Sequence, residues 1–324
     1  MTRHRHPAAL RATKPHAGPV APRPIRGAAI IVAMLVAALA ATVAVALAGE
    51  QQRWLTDVGN RRDQVQAQSL ALAGVQWARQ ILQDDGRSGT TDHLAEIWAY
   101  PLPATPIANG SIEGRIEDAQ GRINLNNVNL PGAAGDNDRE RLGRLFAAKG
   151  ADTKALAALG DWIDEDGSLR ADGAEDGFYA QRVRNAAAAN APLLRAAELA
   201  GVRFAGASAW YALADAVTAL PPGTALNINT AGGDVLAAAI PDLAGEKLTA
   251  FVTERGRKPF TTMAELRERL PQGVTLPSGA TFAFGSGYFL VTVRSRQGDA
   301  LAQARALVKR DGRAAPTVVW QTLE

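Results

Sequence analysis

The chain of 324 residues contains no cysteine. That single absence removes disulfides, thiolate nucleophiles, zinc–thiolate sites and iron–sulfur clusters, so an exported domain of this kind needs another staple. Histidine is nearly as scarce: His4, His6 and His16 cluster near the N-terminus, leaving His93 alone in the rest of the chain. A histidine-based metal site or a Ser-His-Asp triad has almost nothing to draw on. Acidic residues are missing from residues 1–27, which carry six basic side chains (Arg3, Arg5, Arg11, Lys14, Arg23 and Arg26). Of 35 basic and 32 acidic groups in all, the remaining 297 residues therefore keep 29 basic and 32 acidic. The formal net charge of +3 is a property of the tail, and the body of the chain is weakly acidic, which argues against a nucleic-acid partner.

What is present begins with residues 28–48, an uncharged run of 21. As a helix at about 1.5 Å per residue it matches a hydrocarbon core of about 30 Å. Basic residues precede it and mixed charges follow (Glu50, Arg53, Asp57, Arg61, Arg62, Asp63). The positive-inside bias then places the N-terminus in the cytoplasm and the bulk of the chain outside. A buried core helix and a cleaved signal peptide ending at Ala46-Leu47-Ala48 are the alternatives. From Gln51 to about Gln83, the positions Trp54, Val58, Val65, Leu72, Val75, Trp77, Ile81 and Leu82 recur at helical spacing, and Asp84-Asp85-Gly86 with Gly89 reads as the stop.

The junction Arg26-Gly27 followed by Ala28-Ala29-Ile30-Ile31-Val32 resembles the processing site of type IV pilin-like proteins, which a prepilin peptidase cuts after the Gly. Basic leader, Gly27, apolar helix and amphipathic extension occur together here. Two positions depart from the major-pilin pattern: Ala28 stands where Phe is usual, and Val32 occupies the fifth mature position, where most members carry Glu. In pilin assembly that Glu is thought to pair with the N-terminal amine of the subunit ahead, and a carboxylate inside a membrane is costly unless neutralised. Val32 therefore points to a subunit with nothing ahead of it, a tip or initiator; simple drift at an unimportant position is the plainer reading.

Downstream of the proline-rich stretch Pro101 to Pro106, residues 111–118 alternate apolar and polar, and Gln120-Gly121 turns into Arg122–Asn126, a pattern that predicts a β-hairpin. Strand-like alternation returns only at Tyr288–Arg294, Ala300–Val308 and Thr317–Leu323. Between about 130 and 280 the chain is alanine-rich and helical in pattern. A lone hairpin is marginal in water. Strands at both ends of a helical stretch thus predict one sheet with a helical domain inserted into it.

Three blocks carry a more specific resemblance: Trp98 with Pro101-Leu-Pro103 and Ile116–Asn127; Asp161–Asp166 with Gly173–Tyr179; and Leu226-Asn-Ile-Asn-Thr-Ala231. Together they resemble the K-class minor pseudopilins of type II secretion. The resemblance implies an α+β pseudopilin fold, a long N-terminal helix packed on a small antiparallel sheet, with a large inserted all-α domain. The expected division is a leader at 1–27, a membrane helix at 28–48, a discontinuous pseudopilin domain at 49–128 and 281–324, and the insertion at 129–280. It also implies I-, J- and H-type minor pseudopilins, the major pseudopilin and prepilin peptidase as partners, with contacts to the secretin or to exported substrates.

Seven carboxylates (Asp161, Asp164, Glu165, Asp166, Asp172, Glu175 and Asp176) fall within 16 residues. Counted from Asp164, oxygen-bearing residues occupy positions 1, 3, 5, 9 and 12 of an EF-hand-like spacing, but Leu169 stands where that loop needs Gly. The spacing therefore departs from an EF-hand proper, whereas oxygen-rich calcium coordination in another loop geometry would relieve the mutual repulsion. The resemblance implies calcium in this region. The expected ligands are Asp164, Asp166, Glu175 and Asp176, with Asp161 and Asp172 secondary; the alternative is a solvated acidic loop with Asp161 as a cap. Calcium would supply the staple that cysteine does not.

Two segments, Leu193–Val202 and Met263–Val274, share a Glu-Leu…Gly-Val ending, as two related helical modules would. Leu226–Ala231 with Val235-Leu236, Lys247, Phe251, Arg255 and Phe260–Leu266 is also similar to the helix-hairpin-helix module of membrane-anchored DNA receptors. Such a hairpin binds phosphate through backbone N–H groups exposed by glycine. Here Asp242 and Ala244 occupy the glycine positions of Pro241-Asp242-Leu243-Ala244-Gly245, so a carboxylate would face the phosphate. Catalysis is not expected, because no nucleophile or histidine accompanies the acidic loop. The reading that emerges is a minor pseudopilin of the inner membrane with a periplasmic globular part.

Overall fold

A computed structural model describes residue 18, residues 26–183 and residues 186–324; the rest of the basic leader lies outside the described residues. The chain divides into two compact units, residues 1–59 and 60–324. Helix α1 (Arg26–Ser88) begins in the first. Among the described residues it is the one helix long and apolar enough to cross a membrane, and its apolar window is exposed throughout. The helix runs past the expected stop at Asp84–Gly86. Those carboxylates are ion-paired instead of breaking the helix, Asp84 to Arg87 at 3.3 Å and Asp85 to Arg310 at 2.5 Å.

In the second unit a five-stranded antiparallel sheet has the order β1-β2-β5-β6-β7. Its strands are β1 (Leu102–Ile107), β2 (Gly110–Asp118), β5 (Tyr288–Gln297), β6 (Ala300–Lys309) and β7 (Thr317–Leu323). The hairpin expected across Gln120-Gly121 does not form. β2 turns back on the proline-rich segment instead, through Ala108 and Asn109, the latter in the left-handed region at φ 61°. Pro103 and Pro106 lack an N–H, which confines β1 to the sheet edge. Residues 119–121 form a short 3-10 turn, and β3 (Ile123–Asn124) pairs in parallel with β4 (Val217–Thr218).

One face of the sheet is covered by α1. Its buried stripe is Ala67, Ala71, Val75, Ala78 and Leu82, set against Phe289, Val291 and Val293 of β5 and Ala302, Ala304, Ala306 and Val308 of β6. This stripe is smaller in side-chain size than the one the large apolar residues outline, and Val65 and Trp77 are 62% and 54% exposed. Small residues let the helix approach closely: a Cβ added at Gly74 would stand 2.6 Å from a Val293 methyl.

β2 and β5 are neighbours over nine residue pairs, from Gly110 opposite Gln297 to Asp118 opposite Phe289. Everything between them in sequence leaves the sheet and returns. That insertion has its own core, including Leu142, Leu145, Phe146, Leu159, Phe251 and Phe260. It is built from α2 (Gly132–Ala148), α3 (Ala155–Ile163), α4 (Asp176–Arg182), α5 (Gly206–Leu213), α6 (Gly233–Ala239), α7 (Gly245–Arg257) and α8 (Met263–Glu268). The repeated Glu-Leu…Gly-Val ending has a common local logic. Glu198 accepts from the N–H of Arg195 at 2.8 Å and Glu265 from that of Thr261 at 3.0 Å, each closing the start of a short helix. Leu199, Val202, Leu266 and Val274 fill the core.

Sheet and insertion join at Asp118, the last residue of β2. Its carboxylate accepts from Ser286 Oγ and Thr230 Oγ1 at 2.6 Å each, from Asn227 Nδ2 at 2.9 Å and from the N–H of Gln120 at 2.7 Å. Burial pushes the Asp118 carboxyl up, and these four donors pull against it without restoring the ordinary value.

Candidate functional site

Gly27, Ala28 and Val32 lie in the first turns of α1, all three exposed. That arrangement leaves the Gly27–Ala28 bond and the fifth residue beyond it open to a partner.

In the acidic loop, α3 carries Asp161 in its last turn, fully buried. Arg170 folds back onto it: the backbone N–H donates to Asp161 Oδ2 at 3.2 Å and Nη1 to Oδ1 at 2.6 Å, and the same Nη1 pairs with Asp164. A Cβ at Gly173 would come within 1.8 Å of Asp161 Oδ2, so this close turn admits only glycine. Asp172, beside it, is in the left-handed region at φ 62° and pairs with Lys154 at 3.5 Å.

The four expected ligands share this loop system but do different things. Asp166 accepts from the Ser168 N–H at 2.8 Å, and Asp176, at the start of α4, accepts from the Ala188 N–H at 2.8 Å. Asp164 Oδ1 and Glu175 Oε1 are buried and have no hydrogen-bond partner. Burial raises the Glu175 carboxyl, and the charges of Asp161, Asp164, Asp176 and Asp166 raise it further. Two orphaned carboxylate oxygens beneath converging negative charge are what a hard divalent cation satisfies, so the donor set fits calcium. The shell is not drawn together, however. Among the described residues, the one group of three carboxylates whose oxygens lie within 4.8 Å of one another is Asp85, Asp92 and Glu96. In the acidic loop the Arg170 guanidinium takes the cationic role.

That second group was not foreseen, because its members are brought together only by the fold. Asp85 lies in the last turn of α1, Asp92 and Glu96 follow in the connection to β1, and Arg310 directly follows β6. Arg310 Nη2 contacts both oxygens of Asp92, at 2.5 and 2.6 Å, and donates to the Ser286 carbonyl at 2.9 Å, while Nη1 reaches Asp85. Glu96 accepts from the Trp98 indole at 2.8 Å and from the His93 N–H at 2.9 Å. Every carboxylate here has a donor, so the cluster is an ion-paired joint between the helix end and the sheet.

The helix-hairpin-helix region forms as α6, turn and α7. Gly245 stands at φ 55°, with Asp242 exposed in the turn and Glu246 in the first turn of α7. Carboxylates at both places oppose phosphate binding.

Two family models described as type II secretion system protein K match residues 121–222 and 226–281, the second covering that hairpin. The type II secretion system protein K of Pseudomonas aeruginosa is 30% identical over 285 residues, 84% of this chain and 85% of the relative. The chain belongs to the type II secretion protein K family. The protein K of Pectobacterium carotovorum is 28% identical across 91% of this chain and 96% of its own length. In solved structures, a chain of the GspK–GspI–GspJ complex from enterotoxigenic Escherichia coli matches with a TM-score of 0.64 at 22% identity, covering 83% of this chain and 99% of that one. The protein K fold is thus a pseudopilin helix and sheet with an inserted helical domain, and nothing in these matches supports DNA binding.

The joint at Asp85 gives a pH prediction. Its carboxyl is pushed up from 3.8 to about 6, first by burial, then by Glu96, against the pull of Arg310. A carboxyl raised in the folded state adds stability that is complete below the unfolded pKa and is lost as pH rises through the folded one. Asp85→Asn should therefore flatten the dependence of stability on pH between about 4 and 6. Urea midpoints of the two proteins across that range are the measurement, and parallel curves would contradict the assignment.

Proposed function

We propose that this protein K is a minor pseudopilin at the tip of the type II secretion pseudopilus. It would initiate assembly with I- and J-type partners and support export across the outer membrane, with the H-type and major pseudopilins, the secretin and exported substrates as further contacts. The observation that carries this reading is the likeness to protein K over most of both chains, joined to the fold it shares with GspK of the GspK–GspI–GspJ complex. The work is assembly: α1 anchors the chain, the sheet fixes the helix, and the insertion adds bulk that a subunit inside a filament would have to accommodate.

Prepilin peptidase would cut between Gly27 and Ala28 from the cytoplasmic side, leaving the globular part in the periplasm. Val32 then stands where a Glu would greet the subunit ahead, and its absence suits a subunit with none ahead. Introducing Val32→Glu in secreting cells should disturb tip assembly and lengthen or misplace pseudopili; unchanged secretion with unchanged pseudopilus length would remove the mechanical argument. Intact mass of the membrane form should correspond to a start at Ala28, with or without methylation. A start after Ala48 would mean ordinary signal-peptide processing instead.

Calcium is the proposed structural cation of the acidic loop, held by Asp164, Asp166, Glu175 and Asp176, with Asp161 and Asp172 secondary. It would neutralise the charge that raises Glu175 and tie the end of α3 to the start of α4, in exchange for the contact between Arg170 and Asp164. At calcium a hundredfold above its dissociation constant the gain is about 2.7 kcal/mol. For a unit of this size that is a rise of several degrees in melting temperature. Identical melts of the full chain in calcium and in chelator would sink the assignment.

A further inference from the structure

Among the described residues three arginines are almost fully buried, Arg141, Arg255 and Arg310. Arg141 pairs with Asp138 at 2.8 Å and Arg310 with Asp92 at 2.5 Å. Arg255 has no carboxylate partner among the described residues: burial alone acts on its guanidinium, and pulls it down to about 10. A charge taken out of water without a counter-ion is costly. The carboxylate next to it in sequence, Glu254, pairs with Arg269 at 3.1 Å instead.

Arg255 points inward because it follows Phe251 by four residues on α7, on the helix face that meets the core. There Nη1 donates to the carbonyls of Ile228 at 2.9 Å and Ala231 at 2.7 Å, which engages both of its protons. The other edge of the guanidinium, Nε–H and Nη2–H, makes no hydrogen bond among the described residues, and neither nitrogen is sealed from solvent. Arg255 lines a cavity of about 240 Å³ between α7 and the connection from α1 to β1, together with His93, Leu94, Tyr100, Val252 and Pro259. No carboxylate among the described residues lines that cavity. His93 Nδ1 accepts from the Ala95 N–H at 3.2 Å, so the neutral ring carries its own proton on Nε2, as a further donor.

We propose that this cavity binds a monocarboxylate with a short apolar body, whose two oxygens accept from Nε–H and Nη2–H of Arg255 while the body lies against Val252 and Pro259. The parallel N–H pair along one guanidinium edge matches the two oxygens of a carboxylate, and the pair is stronger away from bulk water than on a surface. One negative charge balances the single positive charge in the wall, whereas a dianion such as sulfate leaves one charge over. The bound group would join the insertion to the connection that follows α1. This inference stands on the geometry around α7 and does not depend on the tip reading above.

The test uses the full chain in detergent, with Arg255 left in place because Nη1 holds two carbonyls of the fold. Propionate is the probe, and propionamide, its neutral counterpart, is the control. Expected is a saturable rise in melting temperature with propionate, about 4 °C at twentyfold its dissociation constant, and none with propionamide. Val252 is exposed and stands three residues before Arg255 on α7, so Val252→Glu supplies the missing carboxylate from the chain itself and should abolish the response. Val252→Gln, of the same size but uncharged, should keep it. No rise in the wild type, an equal rise with propionamide, or an undiminished rise in Val252→Glu overturns the site. Loss of the response in Val252→Gln as well makes bulk the cause and overturns the carboxylate fork. N-acetylalanine, a carboxylate on a peptide, identifies the source: binding at least tenfold tighter than propionate places the carboxylate on the end of a polypeptide, and anything weaker leaves a free acid as the ligand.

Discussion

A carboxylate with no cation beside it holds the two halves of the second unit together. Asp118 is almost fully buried at the end of β2, and its four donors come from a turn, from the insertion and from the segment entering β5. A buried donor that loses its acceptor costs about 1–3 kcal/mol, and several donors here share one acceptor group. The position of the insertion therefore depends on this residue in a way that no apolar contact reproduces. Asn227 extends the joint by donating also to the Asp92 carbonyl at 3.2 Å, which connects it to Arg310 and the end of α1. Helix, sheet and insertion meet in one polar network.

The same device recurs where the chain would otherwise need covalent links. Asn124, Asn126 and Asn127, all buried, reach across more than ninety residues to the backbone of Leu220, Gly223 and Thr224, and Asn126 exchanges hydrogen bonds with Leu193. Asn229 holds Phe260 by both its N–H and its carbonyl. These asparagines lie within the sequence blocks that carry the resemblance to K-class pseudopilins, and their chemistry is structural. Each primary amide stands in for a missing strand partner, which places both donor and acceptor where a loop has neither.

Sequence periodicity was enough to find α1, β5, β6 and β7 and to place a helical insertion between strands of one sheet. It failed at β1, because two prolines read as irregular chain and their compatibility with a sheet edge depends on which side of the strand is left unpaired. It caught only part of the buried face of α1: Val75 and Leu82 lie in the core with Leu72 and Ile81 against it, while Val65 and Trp77 are exposed. Large apolar residues mark a stripe by size, but this interface is set by closeness, and Ala67, Ala71 and Gly74 carry little hydrophobic signal. The acidic loop was legible as a concentration of charge, but nothing local marked Arg170, which lies inside it, as the group that folds back onto Asp161 and Asp164. The Asp85–Asp92–Arg310 joint spans 225 residues and leaves no local mark.

The pairing of β2 with β5 also has a cost in chain entropy. Asp118 and Phe289 face each other across a connection of about 170 residues. Closing a flexible loop of that length carries an entropic term of about 4–5 kcal/mol before any contact forms. An insertion that has already condensed on its own core brings the two ends near each other and removes most of that term. The separate core of the insertion thus lowers the entropic cost of pairing two strands that lie so far apart in sequence.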